Sequence, residues 1–166
     1  MRRLLATVAS LLLCGSAFCA EPPSVHLDSS SVAPRQIEDN TENAIIRDYA
    51  RAWQSLTSAL SENRTDVLAV DFVGDAQDQL GQRVSEQQKA GLHTRYIDHG
   101  HSLQALLYSQ DGSAMQLRDT AHLEVQLLDG DKVIHSDRFT QNYLVVMTAA
   151  ENRWKVRVLQ ELPAAQ

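Results

Sequence analysis

The chain has 166 residues, of which 43% are hydrophobic and 22% charged, and its formal net charge at neutral pH is −6. This length is enough for one domain with a sizeable core. The acidic balance argues against nucleic acid as a partner and against docking on anionic lipid.

The first twenty residues have the layout of a secretory signal peptide. Arg2 and Arg3 precede an apolar run, and small residues stand before Glu21. The run is too short and wrongly flanked for an anchor, so no stable membrane insertion is expected after cleavage. Cys14 and Cys19 both lie in this segment, so the mature chain would hold no disulfide. We therefore expect an exported protein, in the periplasm or the extracellular space.

Residues 21–38 contain three prolines and a serine run, a composition typical of a flexible linker. A single α+β domain is expected over residues 39–162, followed by a short tail over 163–166. After Asp39, apolar residues recur at spacings of three and four and predict a long amphipathic helix. The apolar stripe of this helix consists of Ile45, Tyr49, Ala52, Trp53, Leu56 and Leu60. A short second helical section and a polar helix over residues 75–89 follow.

Strand patterns occupy the second half of the chain. They begin near Thr94 and are separated by turn signals at Asp111-Gly112 and Asp129-Gly130. The last strand begins near Trp154 and alternates apolar and charged residues. This order predicts an α+β fold in which N-terminal helices pack on one face of a curved, four-stranded antiparallel meander.

The strand after Asp129-Gly130 has an uncertain facing in the sequence. A two-residue loop at this turn places Arg138 opposite Ala121. A four-residue loop in the last hairpin, however, places Val145 and Met147 on the same face as Trp154. This requires the opposite facing for the strand. A β-bulge between Ser136 and Gln141 would reconcile the two hairpins.

The order of elements, and the final strand with its Arg153-Trp-Lys-Val156 pattern, resembles the nuclear transport factor 2-like superfamily, also called SnoaL-like. The resemblance covers residues 37–162. It implies a cone-shaped domain with a pocket between the sheet and the helices. Members include isomerases, dehydratases, hydrolases and non-catalytic binding or assembly modules, so the fold does not choose a function.

His99 and His101 form the sharpest local feature. A regular strand would point both imidazoles to one side, and imidazole is a common metal ligand. No carboxylate lies at a ligand-like spacing, so no metal is expected. The alternative is that Gly100 marks a bulge or loop entry and that both histidines are half-exposed polar residues.

Asp119 falls on the apolar face of its strand. Catalytic relatives in the superfamily use a carboxylate in the cone as a base, after burial raises its pKa. The hairpin register sets Arg138 diagonal to Asp119, which favours a structural ion pair at the pocket rim. Tyr49 and Trp53 project from adjacent helical turns and either line the same pocket or belong to the core. The candidate ligand-binding residues are therefore Tyr49, Trp53, Asp119 and Arg138.

No phosphate loop, nucleophile elbow, zinc-protease motif or dinucleotide fingerprint occurs, and no cofactor is implied. We expect an exported non-catalytic module that binds a small apolar ligand or a protein partner through the pocket or the sheet face. The alternative is an exported enzyme of the isomerase or dehydratase type, using Asp119 with His99 or His101. A purely structural dimer is a third possibility.

A homodimer through the outer face of the sheet is implied by the resemblance. In the hairpin register, Phe139, Tyr143, Val145 and Met147 form an outward apolar stripe, and exposed stripes of this kind mark interfaces. A bulge before Gln141 would turn the last three of these residues inward. The dimer prediction is therefore tied to one structural detail.

Overall fold

The structure is a computed structural model and describes residues 24–163. The signal peptide expected over residues 1–20 lies outside the described residues, as do residues 164–166 of the expected tail. Within the described part, no helix is long and apolar enough to cross a membrane.

Two α-helices pack on one six-stranded sheet in the described part of the chain, which is the α+β class that the sequence predicts. The strand order is β1-β3-β4-β5-β6, and β2 also pairs with β3. The elements are β1 (Val25–Asp28), β2 (Ala33–Pro34), α1 (Asp39–Glu62), a 3-10 helix (Asp66–Val70), α2 (Gly74–Lys89), β3 (Leu92–Tyr108), β4 (Ala114–Asp129), β5 (Lys132–Ala149) and β6 (Trp154–Leu162).

Residues 25–28 and 33–34 belong to the sheet, although the composition of residues 21–38 predicts a linker. β1 pairs in parallel with β3, from Val25 opposite His101 to Asp28 opposite Gln104. The sheet is therefore mixed, with six strands rather than the four antiparallel strands expected. The composition does not reveal these two strands, because they form by pairing with an edge of β3 that is distant in sequence.

Helix α1 follows the sequence prediction closely. Its entire apolar stripe is buried, and it ends at Asn63, which adopts the left-handed conformation with a φ of 55°. Glu38 stands at the N-cap position of the helix, directly before Asp39. The buried carboxylate of Asp48 accepts the backbone N–H of Trp154 at 2.8 Å and thereby ties α1 to β6.

The β4–β5 hairpin has a different register from the predicted one. Asp129 pairs with Lys132 across the turn, and Ile134 is an extra residue between Val133 and His135. The bulge therefore lies at Ile134 and not between positions 136 and 141, where it was expected.

This bulge decides which way β5 faces. Tyr143, Val145 and Met147 point towards the helices, with 5%, 0% and 0% of their surface exposed. The outward apolar stripe predicted from the sequence is wrong for these three residues, and only Phe139 of the four remains exposed. The sequence argument for a dimer through the outer face therefore falls away.

A further register shift lies between β5 and β6. Val146 pairs with Val158 and Met147 with Val156, so Arg157 is an extra residue in β6. Trp154 and Val156 are buried, whereas Val158 is turned to the outer face with Val146. Leu159 takes its place and packs against the core.

Candidate functional site

A cluster of polar side chains lies inside the cone, on the face of the sheet that the helices cover. β3 contributes His101 and β4 contributes Asp119, and the pairing of His101 with Ala121 and of Leu103 with Asp119 places them diagonally. Tyr49 of α1 contacts them from the helix side, through a hydrogen bond to Asp119. The cluster is therefore assembled by the register of two neighbouring strands and by one turn of α1.

Asp119 is the centre of the hydrogen-bond network. Its Oδ2 lies 2.8 Å from His101 Nδ1 and accepts the Tyr49 hydroxyl at 2.7 Å. On its other side, His101 Nε2 lies 2.9 Å from Asp98 Oδ2. Both ring nitrogens of His101 are thus hydrogen-bonded to carboxylates. Asp119 Oδ1 is buried and has no hydrogen-bond partner among the described residues.

The protonation of His101 follows from these contacts. Burial lowers the pKa of His101, but the hydrogen bonds and negative charges of Asp119 and Asp98 outweigh it and raise the pKa to about 9. At neutral pH His101 is therefore an imidazolium that donates both N–H groups. Burial, followed by the charge of Asp119, raises the pKa of Tyr49 well above its usual value, so Tyr49 stays a neutral donor.

Aromatic rings enclose the imidazolium. The Trp53 ring centroid lies 4.5 Å from that of His101 at an angle of 39°, and Tyr49 meets His101 edge-on at 5.5 Å. A cation against the face of an indole is attracted by the negative potential of the ring. Trp53 therefore both excludes water from His101 and stabilises its charge.

The cluster is closed to solvent. The side chains of His101 and Asp119 have 0% of their surface exposed, and that of Asp98 has 13%. Three clefts on the described surface, of about 400, 230 and 430 Å³, are lined by other residues. The interior of the cone around the cluster is filled by core side chains.

Four of the six residues singled out in the sequence come together here: Tyr49, Trp53, His101 and Asp119. His99 does not join them. The register of β3 shifts between Asp98 and His101, so His99 points outward, where its Nε2 lies 3.9 Å from Glu124 Oε2. The expectation that His99 and His101 share one side is therefore wrong. The alternative is correct in placing a bulge at Gly100, but His101 is buried rather than half-exposed.

Gly100 makes this bulge possible. Its φ of +121° lies in a region that favours glycine, and a Cβ there would lie 2.7 Å from Ser24 Oγ. The backbone N–H of His101 donates to the carbonyl of Ser24 at 2.9 Å. The start of β1 thus packs directly on the bulge that turns His101 inward.

Arg138 also lies away from the cluster. Arg138 pairs with Glu124 instead of Ala121. The turn falls one residue later than predicted, which moves the pairing by two positions, and the bulge at Ile134 moves it by one more. The Arg138 guanidinium donates to Glu124 Oε2 at 2.9 Å. The Arg138 side chain is 69% exposed on the outer face. The predicted ion pair between Arg138 and Asp119 is therefore wrong, and the positive partner of Asp119 is His101.

Sequence reasoning missed two residues with structural importance at this site. Asp98 holds the second ring nitrogen of His101, and Asp48 anchors β6. Asp48 lies three residues after Ile45 and four before Ala52, and this spacing, which places a carboxylate beside the apolar stripe, was the available signal. In the described part of the chain, no group of three or more His, Cys, Asp or Glu residues is placed to hold a metal ion.

No protein-family model matches the sequence, and no curated protein matches it. Solved structures do match. The intermembrane space region of the chloroplast protein ARC6 superposes with a TM-score of 0.62 and 18% identity, over 79% of this chain and 100% of that one. A putative scytalone dehydratase from Novosphingobium aromaticivorans gives 0.53 and 13%, over 75% and 87% of the two chains.

A third match is Aln2 from a Streptomyces species, with a TM-score of 0.51 and 11% identity, over 76% of this chain and 93% of that one. At these identities the similarity concerns the fold alone. In each case it extends over most of both chains, so it covers the helices and the curved sheet together. The chain therefore has the cone-shaped nuclear transport factor 2-like fold that the order of its elements resembles.

Proposed function

We propose that the chain is an exported, non-catalytic binding or assembly module that engages a protein partner through its sheet. The observation that carries this proposal is the hydrogen bonding and burial of His101. Both of its ring nitrogens are bonded to carboxylates, and its side chain has no exposed surface.

A catalytic base must accept a proton from a substrate within hydrogen-bond reach. His101 is protonated at neutral pH because its pKa is raised to about 9, so it has no free lone pair. Its two N–H groups are already donated to Asp119 and Asp98. The network instead joins α1 to β3 and β4 through charge-assisted hydrogen bonds, which is a structural task.

The filled cone also argues against a small apolar ligand inside it. Largely buried aromatic rings of Trp53, Tyr96 and Tyr143 pack around the cluster, and each lies within about 6 Å of a neighbouring ring. The sheet therefore offers the more accessible binding surface. Export remains part of the proposal and is supported by the layout of residues 1–20.

An exported enzyme of the dehydratase or isomerase type is the second candidate, and two observations favour it. Asp119 and His101 are hydrogen-bonded as an acid–base pair, and Asp119 Oδ1 is buried without a partner among residues 24–163. One structure of the same fold is a putative scytalone dehydratase. This function requires the covering side chains to move and admit a substrate.

Nuclear magnetic resonance of the histidine side chains distinguishes the two functions. In ¹⁵N-labelled protein, we expect both N–H protons of His101 to exchange slowly with water and the ring to remain an imidazolium from pH 6 to 8. Exposed His26 on β1 is the internal control, since its ring protons should exchange rapidly. Rapid exchange at His101, with titration near neutral pH, would overturn the non-catalytic proposal and favour the enzyme.

A further inference from the structure

Within residues 24–163, one segment of β5 has an unpaired edge. β6 covers β5 only from Asn142 to Ala149, because its last residue, Leu162, lies opposite Asn142. Among the described residues, the stretch over 132–141 therefore has a strand partner on one side only. All residues from 131 to 140 are exposed. We refer to residues 131–140 as the edge segment.

The edge segment also carries exposed apolar side chains. Val133, Ile134 and Phe139 are 42%, 48% and 36% exposed, and they are half of the six exposed large hydrophobic residues in the described chain. An unpaired edge with apolar side chains is a template for pairing with another strand. The question is then which strand fits it.

The charges of the edge segment are complementary to themselves. Asp131 and Lys132 stand near one end, and Asp137 and Arg138 stand near the other. In an antiparallel pair of two copies with Lys132 opposite the second copy's Asp137, Asp131 falls opposite the second copy's Arg138. The two-fold axis repeats each contact, and opposite charges directly across a strand pair are stabilising.

The bulge at Ile134 makes this pairing geometrically consistent. Residues opposite each other on paired strands point to the same face of a sheet. Lys132 and Asp137 are five positions apart and would face opposite sides in a regular strand. In β5, however, they pair with Asp129 and Val125, which are four apart on β4 and therefore share a face. The extra residue at Ile134 brings the two charges to the same side.

We propose that two copies of this chain associate through antiparallel pairing of their edge segments, which continues the sheet from one molecule into the other. The interface differs from the outer-face dimer of the sequence prediction, and it does not depend on whether the cone is catalytic. One strand pair with a few apolar side chains is a small interface, so the dimer should be weak and concentration-dependent.

Charge reversal tests the proposal. The molecular mass of each purified protein is measured by sedimentation or light scattering over a series of concentrations. Lys132→Asp alone and Asp137→Lys alone each place like charges across the interface at both symmetric positions, so each variant should stay monomeric where the parent protein dimerises. Mixing these two variants restores opposite charges at both positions. We expect the mixture to form a heterodimer and the double variant, K132D with D137K, to recover the homodimer.

Lys89→Asp is the matched control, because it makes the same charge change on an exposed residue of α2, outside the edge segment. It should dimerise as the parent protein does. Circular dichroism checks that each variant is folded. The bulge at Ile134 and the edge residue Lys132 are also features that keep free strand edges from pairing, so a monomeric parent protein is the competing outcome. A parent protein that is monomeric at all concentrations would overturn the proposal, as would a dimer that Lys132→Asp leaves unchanged.

Discussion

His101 holds a positive charge at a position without exposed surface, so its protonation is coupled to folding. Its pKa is about 9 in the folded protein and about 6.5 when unperturbed. A raised folded-state pKa stabilises the protein fully below about pH 6.5, and this contribution is lost as the pH rises to about 9. We expect the free energy of unfolding to fall by about 3 kcal/mol over this range, measured by chemical denaturation at several pH values.

The control for this pH dependence is His101→Gln, which keeps a hydrogen-bond donor but cannot titrate. Its free energy of unfolding should be lower at pH 6 and should lack most of the decline between pH 6.5 and 9. A parent protein with flat stability over this range would show that His101 is neutral when folded. That result would reopen the possibility that His101 acts as a base.

At the residue scale, the sequence identifies part of the cluster. Helical spacing places Tyr49 and Trp53 on one face, and strand alternation places Asp119 inward. The role of Asp98 could not be predicted, because residues three apart in a regular strand face opposite sides. Only the bulge at Gly100 brings Asp98 and His101 to the same face, and a bulge has no unambiguous sequence pattern.

Among the elements, β6 depends on α1 for its position. Trp154 is 8% exposed, and its ring centroid lies 6.3 Å from that of Tyr108, while its backbone N–H donates to Asp48. Trp154→Ala leaves the backbone bond in place but creates a cavity. The expected loss is about 3 to 5 kcal/mol in the free energy of unfolding, measured by chemical denaturation.

Trp154→Phe is the comparison, since it retains an aromatic ring and should cost clearly less than the alanine substitution. If Trp154→Ala cost less than about 1 kcal/mol, the ring would not be part of the packed core. The facing of β6 would then need revision, together with the register that pairs Ala149 with Trp154.

The sequence predicts which elements form better than it predicts how the strands are aligned. The periodicity of α1 and the turn signal at Asp129-Gly130 are both local. The helix forms where it is expected, and the turn falls one residue later, at Gly130 and Asp131. Strand register is set by contacts distant in sequence, and one extra residue reverses the facing of everything after it. The bulges at Ile134 and Arg157 each had this effect, on β5 and β6 respectively.

For the whole molecule, the order of elements predicts the cone but not its contents. Whether a cone holds a pocket depends on the summed volume of side chains from α1 and three strands, which must be packed together before any space can be counted. Here Tyr49, Trp53 and Tyr143 occupy the interior. The fold alone therefore does not decide whether the interior of the cone holds a ligand.

This division of the molecule into a packed body and an exposed edge should appear in native-state hydrogen exchange. Amides of Tyr143, Val145 and Met147 lie in a strand that is paired on both sides and covered by helices, so they should exchange slowly. In the edge segment, alternate amides point away from β4 and should exchange rapidly in dilute protein, where any dimer dissociates. At high concentration, pairing between copies would slow the same amides. Mass spectrometry of peptides from residues 131–140 and 142–149 measures both effects. Equal, concentration-independent protection of the two peptides would mean that the edge is covered within a single molecule.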